Sequence, residues 1–241
     1  MKVLIVIATY NEIDNLPKLV EELRSLVSDA DILVVDDNSP DGTGRWVEEK
    51  SRQDVHVFSI IRTNERGLGS AVIRGFKYGI EHKYDYLVNM DADFSHSVSD
   101  VPRLLKVITE SNVDVVIGSR YVFGGMTPDW PVIRKVMSRC VNFWAKATLG
   151  LKTKDNSGAF RCYRIDKLSL LDFDRFISSG YSFFEETLFR LKQVGATFEE
   201  TPIVFLDRRL GVSKINRKEA IKAIWIMLKL GLERVVGRRN G

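Results

Sequence analysis

Through its first half the chain alternates short apolar, β-branched runs with segments of helical periodicity, and this alternation constrains the fold more than any other feature. Met1 to Ala8, Asp31 to Asp37, Val55 to Ile61, Tyr84 to Met90 and Val113 to Gly118 read as strands. The first of them is apolar on nearly every residue, the pattern of a strand buried on both faces of a parallel sheet. Between the first two strands, Leu16, Leu19, Val20 and Leu23, with Leu26 or Val27, make a helical stripe. Asn15-Leu16-Pro17 opens that helix, with proline in the first turn, where its missing N–H costs nothing. Thr43 to Ser51 predicts a short helix, Gly67 to Glu81 a helix despite its glycines, and Ser99 or Asp100 caps one that runs to Ser111. A βαβαβαβαβ order to about Ser119 predicts an α/β fold with a mostly parallel central sheet flanked by helices.

After Arg120 the rhythm changes. Tyr121 to Pro131 is a Gly/Pro-bearing loop whose Gly124-Gly125 pair suggests mobility, and Val132 to Leu149 predicts a long helix with both apolar and basic residues. Ser157 to Tyr163 predicts a short strand, Phe183 to Val194 a helix, Phe198 to Leu206 a strand, and Arg217 to Val236 a last helix. With 241 residues and no low-complexity stretch or linker-like break, one domain over 1–241 is expected, divided into halves at 1–119 and 120–215 with a basic amphipathic helix over 216–241. Hydrophobic residues at 44% and charged residues at 28% exclude a disordered or collagenous chain. Apolar runs such as Val3 to Ala8 are far shorter than the ~20 residues that cross a bilayer. The N-terminal run reaches polar residues at Thr9 to Glu12, too soon for a signal peptide, so a cytoplasmic protein is expected. Cys140 and Cys162 form no C-x-x-C pattern and read as small buried side chains.

In open α/β sheets ligands bind beyond the carboxyl ends of the strands. There the sequence places Thr9-Tyr10-Asn11-Glu12, Asp36-Asp37-Asn38-Ser39, Asp91-Ala92-Asp93 and Ser119-Arg120. Asp91 and Asp93 alternate about Ala92, so in an extended segment both can bear on one side of a hard cation, Mg2+ or Mn2+, whose shell is completed by substrate phosphates. The pattern therefore implies a diphosphate ligand. The chain has no G-x-x-x-x-G-K-[ST] loop and no G-x-G-x-x-G after its first strand, and neither G-x-S-x-G nor H-E-x-x-H occurs. Phosphate-loop kinases, dinucleotide dehydrogenases, serine hydrolases and zinc proteases are set aside. His96 is the one histidine beside the acidic motif, a candidate for catalysis or for a loop hydrogen bond, whereas His56 and His82 read as structural. Glu185 and Glu186 are candidate general bases, or a pair on a helix surface.

Net charge is +4, but from Arg208 to Gly241 ten Lys or Arg face only Glu219 and Glu233, so a segment of +8 follows a body of −4. Something anionic is expected to meet that end. Nucleic acid is not the expected partner, because the basic segment carries Trp225 as its sole aromatic residue.

These segments together resemble the family 2 glycosyltransferases, and within them the dolichyl-phosphate (polyprenyl-phosphate) mannose synthases. The resemblance is carried by ATYNEIDNLP (Ala8 to Pro17), VVDDNSPDGT (Val34 to Thr43), DADFSH (Asp91 to His96), GSRY (Gly118 to Tyr121), NSGAFRCYR (Asn156 to Arg164) and DRRLGVSK (Asp207 to Lys214), and covers nearly the whole chain. It implies a glycosyltransferase A-type nucleotide-binding fold. It also implies that Ala8, Tyr10, Glu12, Val35 and Asp37 meet the nucleotide, and that Asp91, Ala92 and Asp93 meet the metal and the diphosphate of GDP-mannose. Arg120, Arg134, Arg208 and Lys214 would face the donor diphosphate and the acceptor phosphate, where arginine suits phosphate oxygens. Ala8 stands where many members have Pro, which changes little. Ser95 stands where some have a metal-ligating Gln, which leaves the third protein ligand open to water.

The implied reaction is inverting transfer of mannose from GDP-mannose to a dolichyl or other polyprenyl phosphate. A phosphate monoester is already anionic near neutral pH, its second pKa being ~6 in phosphorylated side chains, so this nucleophile needs no general base. Transfer from UDP-glucose to another acceptor, and a nucleotide-sugar-binding subunit without turnover, are the competing readings. A lipid acceptor implies a peripheral protein on the cytoplasmic face of a membrane. The last helix, with Ile221, Ile224, Trp225, Leu228, Leu232 and Val235 among Lys218, Lys222, Lys229 and Arg234, suits a lipid interface, as does Val132 to Leu149. The alternative is that these faces pack on the domain or on a small membrane partner subunit.

Overall fold

The computed structural model describes residues 1–180, 182–207 and 217–237, the last segment with side chains from 223 to 235. Its centre is a seven-stranded sheet of order β3-β2-β1-β4-β6-β5-β7. The strands are β1 (Val3–Thr9), β2 (Asp31–Asp36), β3 (Val57–Ile61), β4 (Tyr86–Met90), β5 (Val115–Ser119), β6 (Arg161–Arg164) and β7 (Phe198–Pro202). Only β6 runs antiparallel to its neighbours, lying between β4 and β5. The helices are α1 (Leu16–Leu26), α2 (Thr43–Gln53), α3 (Leu68–Glu81), α4 (Val101–Glu110), α5 (Val132–Leu149), the short α6 (Ile165–Leu168), α7 (Phe183–Gln193) and α8 (Arg217–Gly237).

Strand alternation divides the core into two layers. Val3, Ile5 and Ile7 of β1, with Ile32 and Val34 of β2, face α1, α2 and α4. Leu4 and Val6, with Leu33 and Val35, face α3, α7 and the inner residues of α5 and α8. Both faces of the central strands are therefore apolar, as the unbroken run in β1 requires. The stripe of α1 is fully buried at Leu16, Leu19, Val20 and Leu23, each stabilising by about 1.5–3 kcal/mol relative to exposure.

The glycines of α3 are explained by close packing. A methyl group at Gly75 would overlap a methyl of Val6, and one at Gly79 would lie 2.9 Å from Ile165 Cδ1, so the helix sits tightly on β1 because these positions carry no side chain. The strand expected over Ser157 to Tyr163 begins only at Arg161. Before it, side chains take the backbone donors that a ladder would use: Asn142 Oδ1 accepts the Asn156 N–H at 2.6 Å, and Asp155 accepts that of Gly158 at 3.1 Å. The strand expected to reach Leu206 stops at Pro202, which has no N–H to donate, and continues only as a bridge between Val204 and Met126. Cys162 is buried as expected, whereas Cys140 is exposed on α5, because the outer face of that helix has no covering element among the described residues.

Candidate active site

The polar strand ends converge on one edge of the sheet. At the end of β1, Thr9 Oγ1 donates to Asp36 Oδ1 at 2.8 Å, and the same oxygen accepts from Ser39 Oγ at 2.6 Å. The loops after β1 and β2 are laced together by backbone donors meeting side chains: Asn11 N–H to Ser39 Oγ at 2.9 Å and Glu12 N–H to Thr43 Oγ1 at 3.0 Å. Asn11 itself takes φ of 59°, a left-handed turn between Tyr10 and Glu12. Glu12 accepts from Asn15 Nδ2 at 3.0 Å, and the Arg66 guanidinium lies 5.1 Å from the Tyr10 ring centre.

Three of the residues expected at the donor, Val35 and Asp37 at the nucleotide and Ala92 at the diphosphate, are placed differently from the simplest expectation. The side chain of Val35 is fully buried in the core, and Ala92 packs in the opposite core layer, so each offers only backbone to a ligand. Asp37 accepts two bonds from Arg62, one of them from Nε at 2.7 Å, and a third from the Gly67 N–H at 2.8 Å. Its carboxylate fixes the approach to α3, and contact with a nucleotide would be additional to that pair. Arg62, which the sequence reading missed, is itself buried; a lone arginine after a strand carries no signal of its partner.

The end of β4 carries Asp91 and Asp93. Asp91 keeps 33% of its side chain exposed, whereas Asp93 is buried and accepts the Ser95 N–H at 3.0 Å across a turn in which Phe94 has φ of 59°. His96 lies beneath them. Its Nδ1 accepts the Asp91 N–H at 3.4 Å and stands 3.9 Å from Asp91 Oδ2, and its ring stacks on Phe160 at 5.0 Å. Burial pulls the imidazole down to about 4 despite the nearby Asp93 charge, so His96 is neutral at pH 7 and holds the loop. Among the described residues no three His, Cys, Asp or Glu side chains gather as a metal site. Two carboxylates at a strand end fit a hard divalent cation of the kind that takes one or two protein carboxylates and completes its shell with water and substrate phosphates.

Arg120, at the end of β5, forms a bidentate pair with Asp155, Nε to Oδ2 at 2.7 Å and Nη2 to Oδ1 at 2.6 Å. Burial pushes the Asp155 carboxyl up, but the Arg120 guanidinium outweighs it and holds the group below its ordinary range. The rings of Trp130, Phe205 and Tyr121 surround the guanidinium at 5.3–5.5 Å. The expectation that Arg120 faces phosphate is narrowed to one nitrogen: among the described residues Nε and Nη2 are engaged by Asp155 and Ser157, and Nη1 has no hydrogen bond. Arg134 stacks on Trp130 at 4.1 Å and donates to Asp207 at 3.0 Å. Arg208 and Lys214 lie outside the described residues.

Beneath Arg120 the structure adds a buried polar layer that the sequence reading did not assemble. Fully buried Arg161 donates to the carbonyls of Phe184 and Asn156 at 2.7 and 2.6 Å. Glu185 and Glu186 are not a surface pair. Glu186 accepts from Arg190 and from the N–H groups of Ile177 and Ser178, which leaves it no freedom to act as a base. Glu185 is 3% exposed, and its Oε2 has no hydrogen-bond partner among the described residues. Burial pushes its carboxyl up to about 7, against a bond from its own backbone N–H and the attraction of Arg161. The loop after α5 is what brings Asp155 to Arg120 across 35 residues of chain, and spacing alone does not reveal such a pair.

Comparison with known proteins agrees with this geometry. Residues 4–171 match the model of glycosyl transferase family 2. The chain is 42% identical over 232 residues to an undecaprenyl-phosphate mannosyltransferase of Micrococcus luteus, covering 96% of this chain and 95% of that protein. It is 37% identical over 243 residues to a polyprenol monophosphomannose synthase of Mycolicibacterium smegmatis, covering 100% and 91%. In fold it is similar to glucosyl-3-phosphoglycerate synthase from Mycobacterium tuberculosis, solved with Mn2+ and uridine diphosphate, at a TM-score of 0.64 and 15% identity over 96% of this chain and 78% of that one. A mannosyltransferase from Pyrobaculum calidifontis, solved with GDP-Man and Mn2+, superposes at 0.61 and 16% identity over 97% and 64%. The fold is thus of the glycosyltransferase A type, as the sequence resemblance implied.

Proposed function

The chain belongs to glycosyl transferase family 2, and from that premise we propose that it transfers mannose from GDP-mannose to a dolichyl or other polyprenyl phosphate, with inversion at the anomeric carbon. The observation that carries this reading is the near full-length likeness to two proteins named for mannosyl transfer to polyprenyl phosphate.

In this reading the segments at Ala8 to Glu12 and Val35 to Asp37 bind the nucleotide, chiefly through backbone groups and the exposed parts of Tyr10 and Glu12. Asp91 and Asp93 would hold Mg2+ or Mn2+, which when bound supplies positive charge beside the departing diphosphate. His96 keeps Asp91 in place. The acceptor's phosphate oxygen is an anion at neutral pH and attacks without a general base, which suits a site whose buried histidine is neutral and whose Glu186 is fully engaged. The remaining work is to hold two anionic reactants together. Arg120 Nη1 is available for it, Arg134 would join it in addition to its bond to Asp207, and Arg208 and Lys214 are added by the resemblance.

A lipid acceptor puts the enzyme at a membrane surface. No helix among the described residues is long and apolar enough to cross a bilayer. Val132, Ile133, Val136, Met137, Phe143 and Trp144 of α5 are nonetheless exposed, as are Ile224, Trp225, Leu228, Leu232 and Val235 of α8, the helix that packs against it. This surface supports peripheral attachment, on the cytoplasmic face or through a small membrane partner. The test is transfer of radiolabelled mannose from GDP-mannose into an organic-extractable polyprenyl phosphate, with Mg2+ or Mn2+ and then with EDTA. Metal-dependent label in the lipid phase is expected. Transfer from UDP-glucose in its place would move the donor assignment, and transfer from neither would overturn the reading.

A further inference from the structure

A cavity of about 380 Å³ opens between the loop after β5 and one face of α5, and its wall is strongly basic. Arg139 and Lys146 stand seven residues apart on α5, close to two turns, and so project to the same side. Lys154 reaches the cavity from the loop after α5, and that loop is pinned because Glu200 accepts the N–H groups of Lys154 and Asp155 at 2.7 and 2.9 Å. Arg120 completes the wall.

The charge there is unbalanced. Asp155 neutralises Arg120, but among the described residues no ion pair engages Arg139, Lys146 or Lys154, and no acidic side chain lines the cavity. Clustered like charges repel, and more strongly at the lowered effective dielectric of a protein surface than in bulk water. An anion seated among them removes that repulsion. The cavity is of the size that small ligands occupy, roughly 300–1,000 Å³. Phe143 stands at its wall, 68% exposed, next in line with the exposed apolar residues of α5. Arg120 faces Phe205 at 5.5 Å and Phe205 faces His96 at 5.3 Å, so the cavity adjoins the Asp91 side of the site through Arg120. None of Arg139, Lys146 and Lys154 belongs to the residues assigned above to donor or acceptor.

We propose that this cavity is a second anion site, taking a phosphate group that is either free or carried as the headgroup of a lipid lying against α5. A multiply charged tetrahedral oxyanion matches three convergent cations from two segments, and lysine and arginine together offer it both point charge and directed N–H donors. The site rests on the membrane reading above and adds a charge contact to an apolar one; Arg120 is shared with the transfer site, so its separation from transfer is tested at Arg139, Lys146 and Lys154, none of which is assigned to the reacting groups.

The experiment compares the full chain with the triple variant Arg139→Gln, Lys146→Gln, Lys154→Gln. A charge-matched control carries Lys18→Gln, Arg52→Gln and Lys106→Gln on α1, α2 and α4, which pack on the opposite face of the sheet. Calorimetric titration with inorganic phosphate reads the free anion. Cosedimentation with phosphatidylcholine vesicles, with and without phosphatidylglycerol, reads the headgroup. The cavity variant should lose binding to at least one of these probes by tenfold or more, while the control changes less than threefold. Mannosyl transfer to a short, water-soluble polyprenyl phosphate should stay within twofold in both, so failure of transfer in the parent chain would be seen separately. Loss with phosphate alone identifies the free ion as ligand, and loss with anionic vesicles alone identifies the lipid. Equal behaviour of the cavity variant and the control, or no binding of either probe by the parent chain, overturns the proposal.

Discussion

Asp91 and Asp93 leave the same strand end for different surroundings, and their substitutions should separate accordingly. Asp91→Asn, at a side chain one third exposed, is expected to reduce transfer more than a hundredfold with little change in melting temperature. Asp93→Asn should lose activity and also about 1 kcal/mol of stability, because it weakens the bond that closes the turn at Ser95. Initial rates measured beside thermal denaturation test both, and near-normal rates in the two variants would remove the pair from the site. Glu185 makes a prediction of opposite sign. Its folded pKa of about 7 stands above the ordinary 4.5, so its contribution to stability is fully present below about pH 4.5 and is lost as pH rises through about 7. Glu185→Gln removes that dependence and should be more stable than the parent at pH 8, by on the order of 2 kcal/mol, with little gain at pH 4.5. Urea denaturation at the two pH values decides it; an equal effect at both would mean that the carboxyl is not held neutral by burial.

Among the elements, α3 shows why a glycine-rich segment remains a helix. Its poor intrinsic propensity is outweighed by the contact it makes with β1, and Gly75→Ala should therefore destabilise by about 1–3 kcal/mol even though alanine is the better helix former. Chemical denaturation measures this, and a stabilised variant would mean that β1 and α3 have room to part. The Gly124-Gly125 pair, read in sequence as a sign of mobility, has a packing role as well: a methyl group at Gly125 would lie 2.7 Å from the Arg120 carbonyl carbon. On α5 and α8 the exposed apolar residues are the ones that membrane binding would use. Met137→Glu combined with Trp225→Glu should weaken vesicle cosedimentation at least tenfold and leave the unfolding midpoint within experimental scatter, since both side chains are already in solvent.

For the molecule as a whole, the regular alternation of strand and helix could be read from the sequence only as far as Ser119, and the order of the strands in the sheet not at all. Each strand of the first half carries its own apolar run and each helix its own stripe, so local pattern and tertiary placement agree there. From Asn142 to Arg161 the chain is shaped instead by contacts between distant residues, including the Asn142 to Asn156 bond and the Asp155 to Arg120 pair, and β6 enters the sheet antiparallel between β4 and β5. No periodicity announces that insertion. The candidate site divides in the same way. Asp91, Asp93, Tyr10 and Glu12 were legible because strand ends concentrate ligand-facing groups on one edge. Arg62, Arg161 and the paired state of Asp37 were not, because burial and pairing are properties of the folded neighbourhood. What the sequence by itself determined is the chemistry available at the sheet edge and the layered fold that presents it, since both follow from residue type and local period. Only the tertiary structure decided which charges are already matched, leaving Arg120 half committed to Asp155 and the side chains of Arg139, Lys146 and Lys154 without an ion pair among the described residues, because electrostatic pairing depends on distances between segments far apart in the chain.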